Sequence, residues 1–398
     1  MKLYTAKCDC SASKRVVADD MILTKGIPTA AGSRMLEGYM SLIGSEALDR
    51  ALSAGYELAG KAAVGEFAID LVGETAYGGA CVADGKLLNA SAEIVKSGDA
   101  EAALTLDVNG SVRRAAAQSG LVSIKPTYGT VSRFGTIPVA CSGETVSVMA
   151  KSSDECAELL AAILGHDPKD GTSLSDEPCA RVASHTRDIK RVALPVSMTK
   201  ELAADSKAVL DGAVKTLTAK GIEVVEVEDE IIVRARAAWN ILMCAELCNN
   251  VSRYDGVKYG YRAESFSGID ELYTNSRTEA FGELLKTAIL FGSDTLSTEN
   301  YMKVYDKALR TRRVIVNEFA RLFESFDAVL LPVCSTMSYA EDTSANGKQR
   351  AFSENLYTAP ASISGLPAVV SGGVQLVGPA FCETALLEAA KLLEKEEA

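Results

Sequence analysis

The stretch Leu104-Thr105-Leu106-Asp107-Val108-Asn109-Gly110-Ser111-Val112-Arg113-Arg114-Ala115-Ala116-Ala117, continued by Gly120-Leu121-Val122-Ser123-Ile124-Lys125-Pro126-Thr127-Tyr128-Gly129 and Thr130-Val131-Ser132-Arg133-Phe134-Gly135-Thr136-Ile137-Pro138, decides how this chain is read. An apolar strand runs into Asn109-Gly110-Ser111. Gly and Asn tolerate positive φ, so the chain can turn sharply there and point several backbone N–H groups one way. Such a nest at Val108, Asn109 and Gly110 suits an oxyanion, with Ser111 beside it as a nucleophile. Taken alone, the motif reads better as a plain structural turn.

Outward from this stretch, strand-like runs alternate with helical ones. Ser45 to Ala54 reads as a helix, and Glu57 to Gly60 leads into Lys61. Ser152 to Leu164 reads as a helix capped by Ser153 and Asp154, with Gly165 past its end. Arg191 to Pro195 reads as a buried strand, Ser206 to Lys220 as a helix stopped by Gly221, and Ile222 to Val227 as the next strand. That order predicts a parallel α/β arrangement. Residues 170–190 are polar and predict a surface linker. Glu383 to Glu394 predicts an amphipathic helix with Leu386, Leu387, Ala390 and Leu393 on its apolar side.

The 398 residues are 47% hydrophobic and 24% charged, enough to bury a large core. Residues 1–398 are expected to form a single domain. No apolar run reaches the roughly 18 residues of a membrane span. Met1 to Thr5 lacks the apolar core of a signal peptide, so a cytoplasmic location is expected. The net charge of −12 opposes a phosphate backbone, so direct nucleic-acid binding is not expected. The basic run Arg310 to Arg313, with Lys303 and Lys307 upstream, reads as a solvated helix face. Ten cysteines, with Cys8/Cys10 and Cys244/Cys248 as the close pairs, lack zinc-site spacing and read as free thiols. Two histidines, His166 and His185, disfavour Ser-His-Asp chemistry and leave no metal site in view.

Asp107, Gly110, Ser111, Arg113 and Lys125-Pro126-Thr127-Tyr128-Gly129 resemble the amidase-signature motif. Further segments are similar to the A subunit of tRNA-dependent (glutamyl-tRNA(Gln)/aspartyl-tRNA(Asn)) amidotransferases: Ile22 to Thr29, Gly165 to Asp170, Arg253 to Gly260, Gly365-Leu366-Pro367 and Gln375 to Gly378. The resemblance implies an amidase-signature fold, α/β with a mixed central sheet between helix layers. It also implies a seryl nucleophile at Ser111 that attacks the amide of glutamine, a second serine that relays its proton, and a neutral lysine as base. Ammonia would pass to a partner, and the amidotransferase B and C subunits are the implied partners. No cofactor is implied for this chain; ATP and Mg would belong to a partner.

Against that pattern, the lysine position holds Asp19. Sliding Lys14 or Lys25 into place would break the Ile22 to Thr29 match. The relay-serine position falls on Leu87, within Gly85 to Ser91, and leucine cannot relay a proton. The arginine that pairs with the substrate carboxylate falls near Thr287 and Ala288, and the aspartate that reads its amino group falls on Asn355. The glutamine-holding region is therefore expected to be less charged and partly filled by Leu87 and Leu88. The family's N-terminal helices and first strand are expected to be absent. Ser371-Gly372-Gly373 is expected to form a tight hairpin turn in a shortened segment. Three readings stay open: a catalytically impaired pseudo-amidase or regulatory homologue, an active amidotransferase component or amide hydrolase using a substitute base such as Asp19 or Lys86, and a structural protein with another partner.

Overall fold

The computed structural model describes residues 2–10, 12–184, 188–342, 344, 347 and 349–394. Its strands are β1 (Tyr4–Lys7), β2 (Arg15–Asp19), β3 (Glu57–Ala62), β4 (Cys81–Ala83), β5 (Lys86–Leu88), β6 (Ala102–Asp107), β7 (Val122–Lys125), β8 (Thr145–Ala150), β9 (Arg191–Pro195), β10 (Glu223–Val227), β11 (Ala328–Pro332), β12 (Ala368–Ser371) and β13 (Val374–Val377). Eleven of these form one mixed sheet in the order β1-β3-β2-β6-β8-β7-β12-β13-β11-β9-β10, and β4 and β5 form a separate hairpin.

The sheet is parallel at two places. β3, β2 and β6 run together on one side, and β11, β9 and β10 on the other. The middle is antiparallel from β6 through β13 to β11. Central strands β6, β8, β7 and β12 are buried along their whole length. Strands covered on both faces read as continuous apolar runs rather than alternating ones. The β9–helix–β10 unit has the expected parallel pairing, with helix Ala204–Ala219 between the strands. The edge strand β1, antiparallel to β3, was not foreseen from the sequence.

Local signals set several boundaries. Helix Ser153–Ile163 is capped by Ser152, not Ser153 or Asp154; the Ser152 hydroxyl accepts from Glu155 N, and the Glu155 carboxylate accepts from Ser152 N. That reciprocal capping box places the cap one residue before Ser153, so Ser152 caps the helix instead of opening it. The Ser371-Gly372-Gly373 turn joins β12 to β13 as expected, with φ of +57° and +82° at its two glycines.

Two sequence expectations are corrected here. Within 170–190, helix Asp176–Ser184 replaces the linker, and its Val182 carbonyl accepts from Thr384 Oγ1. His185 lies outside the described residues. The C-terminal helix runs Glu383–Lys391, three residues short of Glu394. Helix Ala235–Val251 crosses the core, burying Trp239, Leu242 and Met243. It meets helix Glu283–Thr295 at Gly292, where an added Cβ would lie 2.0 Å from the Cys244 carbonyl oxygen. Only glycine permits that approach. Among the described residues no helix is long and apolar enough to cross a membrane.

Candidate active site

The parallel strands β2 and β6 bring two chain segments to the same end of the sheet. Asp19 ends β2. Asp107 ends β6 and leads through Val108, Asn109 and Gly110 into helix Ser111–Ser119, whose first residue is Ser111. Of these turn residues only Gly110 takes a positive φ, +78°; Asn109 does not use the left-handed freedom that the sequence left open to it. A Cβ on Gly110 would meet Thr358 Cβ at 2.3 Å.

A buried polar frame holds this turn. Asp107 Oδ1 accepts from Gly110 N at 3.1 Å, and Arg113 grips both Asp107 oxygens. Arg113 also reaches the Thr358 carbonyl, Gln375 Oε1 and Ser362 Oγ. Asn109 Nδ2 donates to the Ile69 carbonyl, and Trp239 Nε1 donates to Asn109 Oδ1. Gly110 N–H is therefore engaged by Asp107 rather than left open for an oxyanion, and the Asn109 side chain ties the loop to Ile69.

Ser111 and Asp19 do line one cavity, together with Asp70, Asn89, Ser91 and Thr105. Its volume is about 10 Å³, room for roughly one water molecule. The Ser111 hydroxyl has no hydrogen-bond partner among the described residues. Asp19 Oδ1 accepts from Met21 N at 3.0 Å and Oδ2 from Leu106 N at 2.7 Å. Burial pushes the Asp19 carboxyl up to about 6, against the opposing Leu106 N–H, Lys61 and Met21 N–H.

Leu87 does not line the Ser111 cavity. Asp84 and Gly85 both take positive φ, at +52° and +72°, and close a β4–β5 hairpin over the residues expected to hold the relay loop. An Asp-Gly pair is the usual residue choice for that turn. Leu87 donates its N–H to the Tyr339 carbonyl and lines a separate pocket of about 290 Å³ with Leu71 and Leu284. That pocket also carries Glu74, Glu283 and Arg350. Glu341 and Asp342 line it as well, so its apolar walls carry four carboxylates and one guanidinium.

Thr287, Ala288 and Asn355 line neither cavity. Thr287 Oγ1 donates to the Glu283 carbonyl within its own helix, and Ala288 is buried. Asn355 is buried on helix Arg350–Ser364 and donates Nδ2 to Asn240 Oδ1 at 2.6 Å.

Sequence reasoning gave no role to three buried charged residues, Lys61, Glu66 and Asp70, of which Asp70 lines the Ser111 cavity. Lys61, at 0% exposure, donates to the Ile22 carbonyl and to Thr29 Oγ1 and lies 3.9 Å from Asp20 Oδ1. Burial holds its amine down at about 8. It faces Asp20 and does not line the Ser111 cavity. Asp70 Oδ2 accepts from Thr75 N and Thr75 Oγ1, both at 2.9 Å. Glu66 accepts from Ser33 Oγ and Gly282 N. The usable signal was a lysine inside the otherwise apolar run Leu58 to Ala63, since a charge in a buried strand needs a buried partner.

The amidase family profile matches residues 17–387. The A subunit of glutamyl-tRNA(Gln) amidotransferase from Lachnoclostridium phytofermentans is 33% identical over 408 residues, covering 96% of this chain and 82% of that protein. The protein of the same name from Acinetobacter baumannii is 34% identical over 390 residues, covering 92% and 79%. The crystal structure of the glutamyl-tRNA(Gln) amidotransferase A subunit from Thermotoga maritima superposes with a TM-score of 0.79 at 25% identity, covering 99% of this chain and 87% of that one. The sheet order, the Gly110–Ser111 turn and these matches agree: the chain belongs to the amidase family.

Proposed function

We propose that this chain is a catalytically impaired amidase, a pseudo-amidase or regulatory homologue of the glutamine-hydrolysing A subunit of tRNA-dependent amidotransferases. The observation that carries this reading is the Ser111 cavity. Its volume of about 10 Å³ excludes a glutamine side chain, and the Ser111 hydroxyl has no base in hydrogen-bond contact among the described residues. A serine hydroxyl without an adjacent base is a weak nucleophile. The substituted positions Asp19 and Leu87 support the same conclusion: one carboxylate is bound to two backbone N–H groups, and one side chain lies in another pocket.

In this reading the chain acts through partners of the amidotransferase B and C type in the cytoplasm. It holds no cofactor of its own; ATP and Mg act on a partner, and the chain makes no direct contact with nucleic acid. Ammonia release from glutamine, measured with and without such partners, tests it. One observation favours the active alternative: Asp19 shares the Ser111 cavity, and a carboxyl near 6 can take a proton through a bridging water at neutral pH. Turnover lost in both Ser111→Ala and Asp19→Asn would establish that alternative.

A further inference from the structure

The ground around Ser111 is short of positive charge. Asp19, Asp20 and Asp70 are all buried, and the cations set among them are Lys61 and Arg114. Lys61 is shared between Asp19 and Asp20. Arg114 spends its donors on the Asp70 carbonyl, the Leu71 carbonyl and Thr358 Oγ1, not on the Asp70 carboxylate. Glu74 adds a further negative charge beside Asp70.

Asp70 is 1% exposed. Its Oδ2 is satisfied by Thr75, while its Oδ1 is buried with no hydrogen-bond partner. Asp70 lines the same water-sized cavity as Asp19, Ser91 and Ser111. The Ser91 and Ser111 hydroxyls have no partner among the described residues, so both oxygens are free to accept. A buried carboxylate oxygen left unpaired is costly. Burial, and then Glu74, push the Asp70 carboxyl up to about 8. With nothing else in the cavity it keeps a proton at neutral pH, and a cation that takes the proton's place gains as pH rises.

We propose that this cavity is a binding site for one small monovalent cation of ammonium or potassium size, held by Asp70 Oδ1 and the Ser111 and Ser91 hydroxyls. Asp70 supplies the charge, and the hydroxyls complete the oxygen shell without adding any. Ammonium brings four N–H donors to these acceptors; potassium has the same size without directional donors. The positive end of helix Ser111–Ser119 works against a cation, but the Asp107 carboxylate lies against that end and takes the Gly110 N–H. The cavity is the one that carries the proposed loss of activity, but cation binding is read without glutamine, so either can fail alone.

The test is thermal unfolding of the full chain at pH 8.5 in ammonium, potassium or sodium chloride, against tetramethylammonium chloride at equal ionic strength, because that cation is too large to enter. The expected result is a saturable rise of about 2–4 °C with ammonium or potassium, absent in Asp70→Asn and weakened in Ser111→Ala. Equal midpoints in all four salts would overturn the proposal and leave the cavity to water, as would an undiminished rise in Asp70→Asn. Should Asp70→Asn fail to fold, Ser91→Ala and Ser111→Ala carry the comparison, together with NMR of the wild type in 15N-ammonium. A slowly exchanging bound ammonium signal, or its displacement by potassium, supports the site; no bound signal and no salt-specific rise overturns it.

Discussion

Arg113 closes on Asp107 with two hydrogen bonds inside the core, Nε to Oδ2 at 2.7 Å and Nη2 to Oδ1 at 3.1 Å. Both side chains are sealed from solvent. The same Asp107 oxygen that receives Nη2 also receives Gly110 N, so this ion pair fixes the turn that presents Ser111. Asp107→Asn would leave Arg113 buried without its counter-charge. The expected cost is about 3–5 kcal/mol, measured by chemical denaturation. Although burial pushes the Asp107 carboxyl up, Arg113 holds it below the ordinary carboxylate range. Its contribution is therefore full above the unfolded value near 4 and lost as pH falls through the lower folded value.

Gly110→Ala tests the turn itself. A left-handed φ disfavours alanine by about 1–2 kcal/mol, and the new Cβ would overlap Thr358. The combined loss should exceed about 2 kcal/mol. Thr358→Ala in the same chain should recover part of the steric share but none of the backbone share. Equal stability of Gly110→Ala and wild type would contradict the described turn.

These elements show what the sequence could reveal. The Gly110 turn, β9 and the Gly372-Gly373 hairpin were legible because each depends on neighbouring residues: a glycine forced to positive φ, a short apolar run ended by proline, two glycines between β-formers. Helix Asp176–Ser184 was not legible. Its buried Cys179 and Val182 are too few to show a helical period, and it is fastened by Thr384 from the far end of the chain. Lys61, Glu66 and Asp70 were missed for the same reason, since their burial is decided by partners distant in sequence or by loop closure. Leu87 sits on a β4–β5 hairpin closed by Asp84-Gly85 and lines another pocket, which alignment to a serine-glycine loop hid.

Glu66 gives a pH prediction. Burial pushes its carboxyl up to about 7, against the opposing Ser33 hydroxyl and Gly282 N–H. The folded chain then keeps a proton that the unfolded chain releases near 4.3, so stability falls as pH rises from about 4.3 to about 7 and is level above that. The Glu66 share is up to about 4 kcal/mol. Glu66→Gln keeps both contacts, with the amide oxygen accepting from Gly282 N and the amide nitrogen donating to Ser33 Oγ. It should remove that share of the slope and stabilise the protein at pH 7.5 relative to wild type. A denaturation series from pH 4.5 to 8 with parallel curves for the two proteins would contradict the assignment.

Restoring one family residue should not restore activity. Leu87→Ser places a hydroxyl in the 290 Å³ pocket, not beside Ser111, so ammonia release should stay at background. A gain of turnover on Leu87→Ser would show that the hairpin rearranges around substrate.

Ammonia release from glutamine and asparagine, by wild type and Ser111→Ala, with and without partner subunits, tests the central claim most directly. The account predicts no glutamine-dependent ammonia above background from either protein, with no difference between them, because Ser111 has neither a base in contact nor a cavity that admits the amide. Sustained turnover by the wild type that Ser111→Ala abolishes would contradict it.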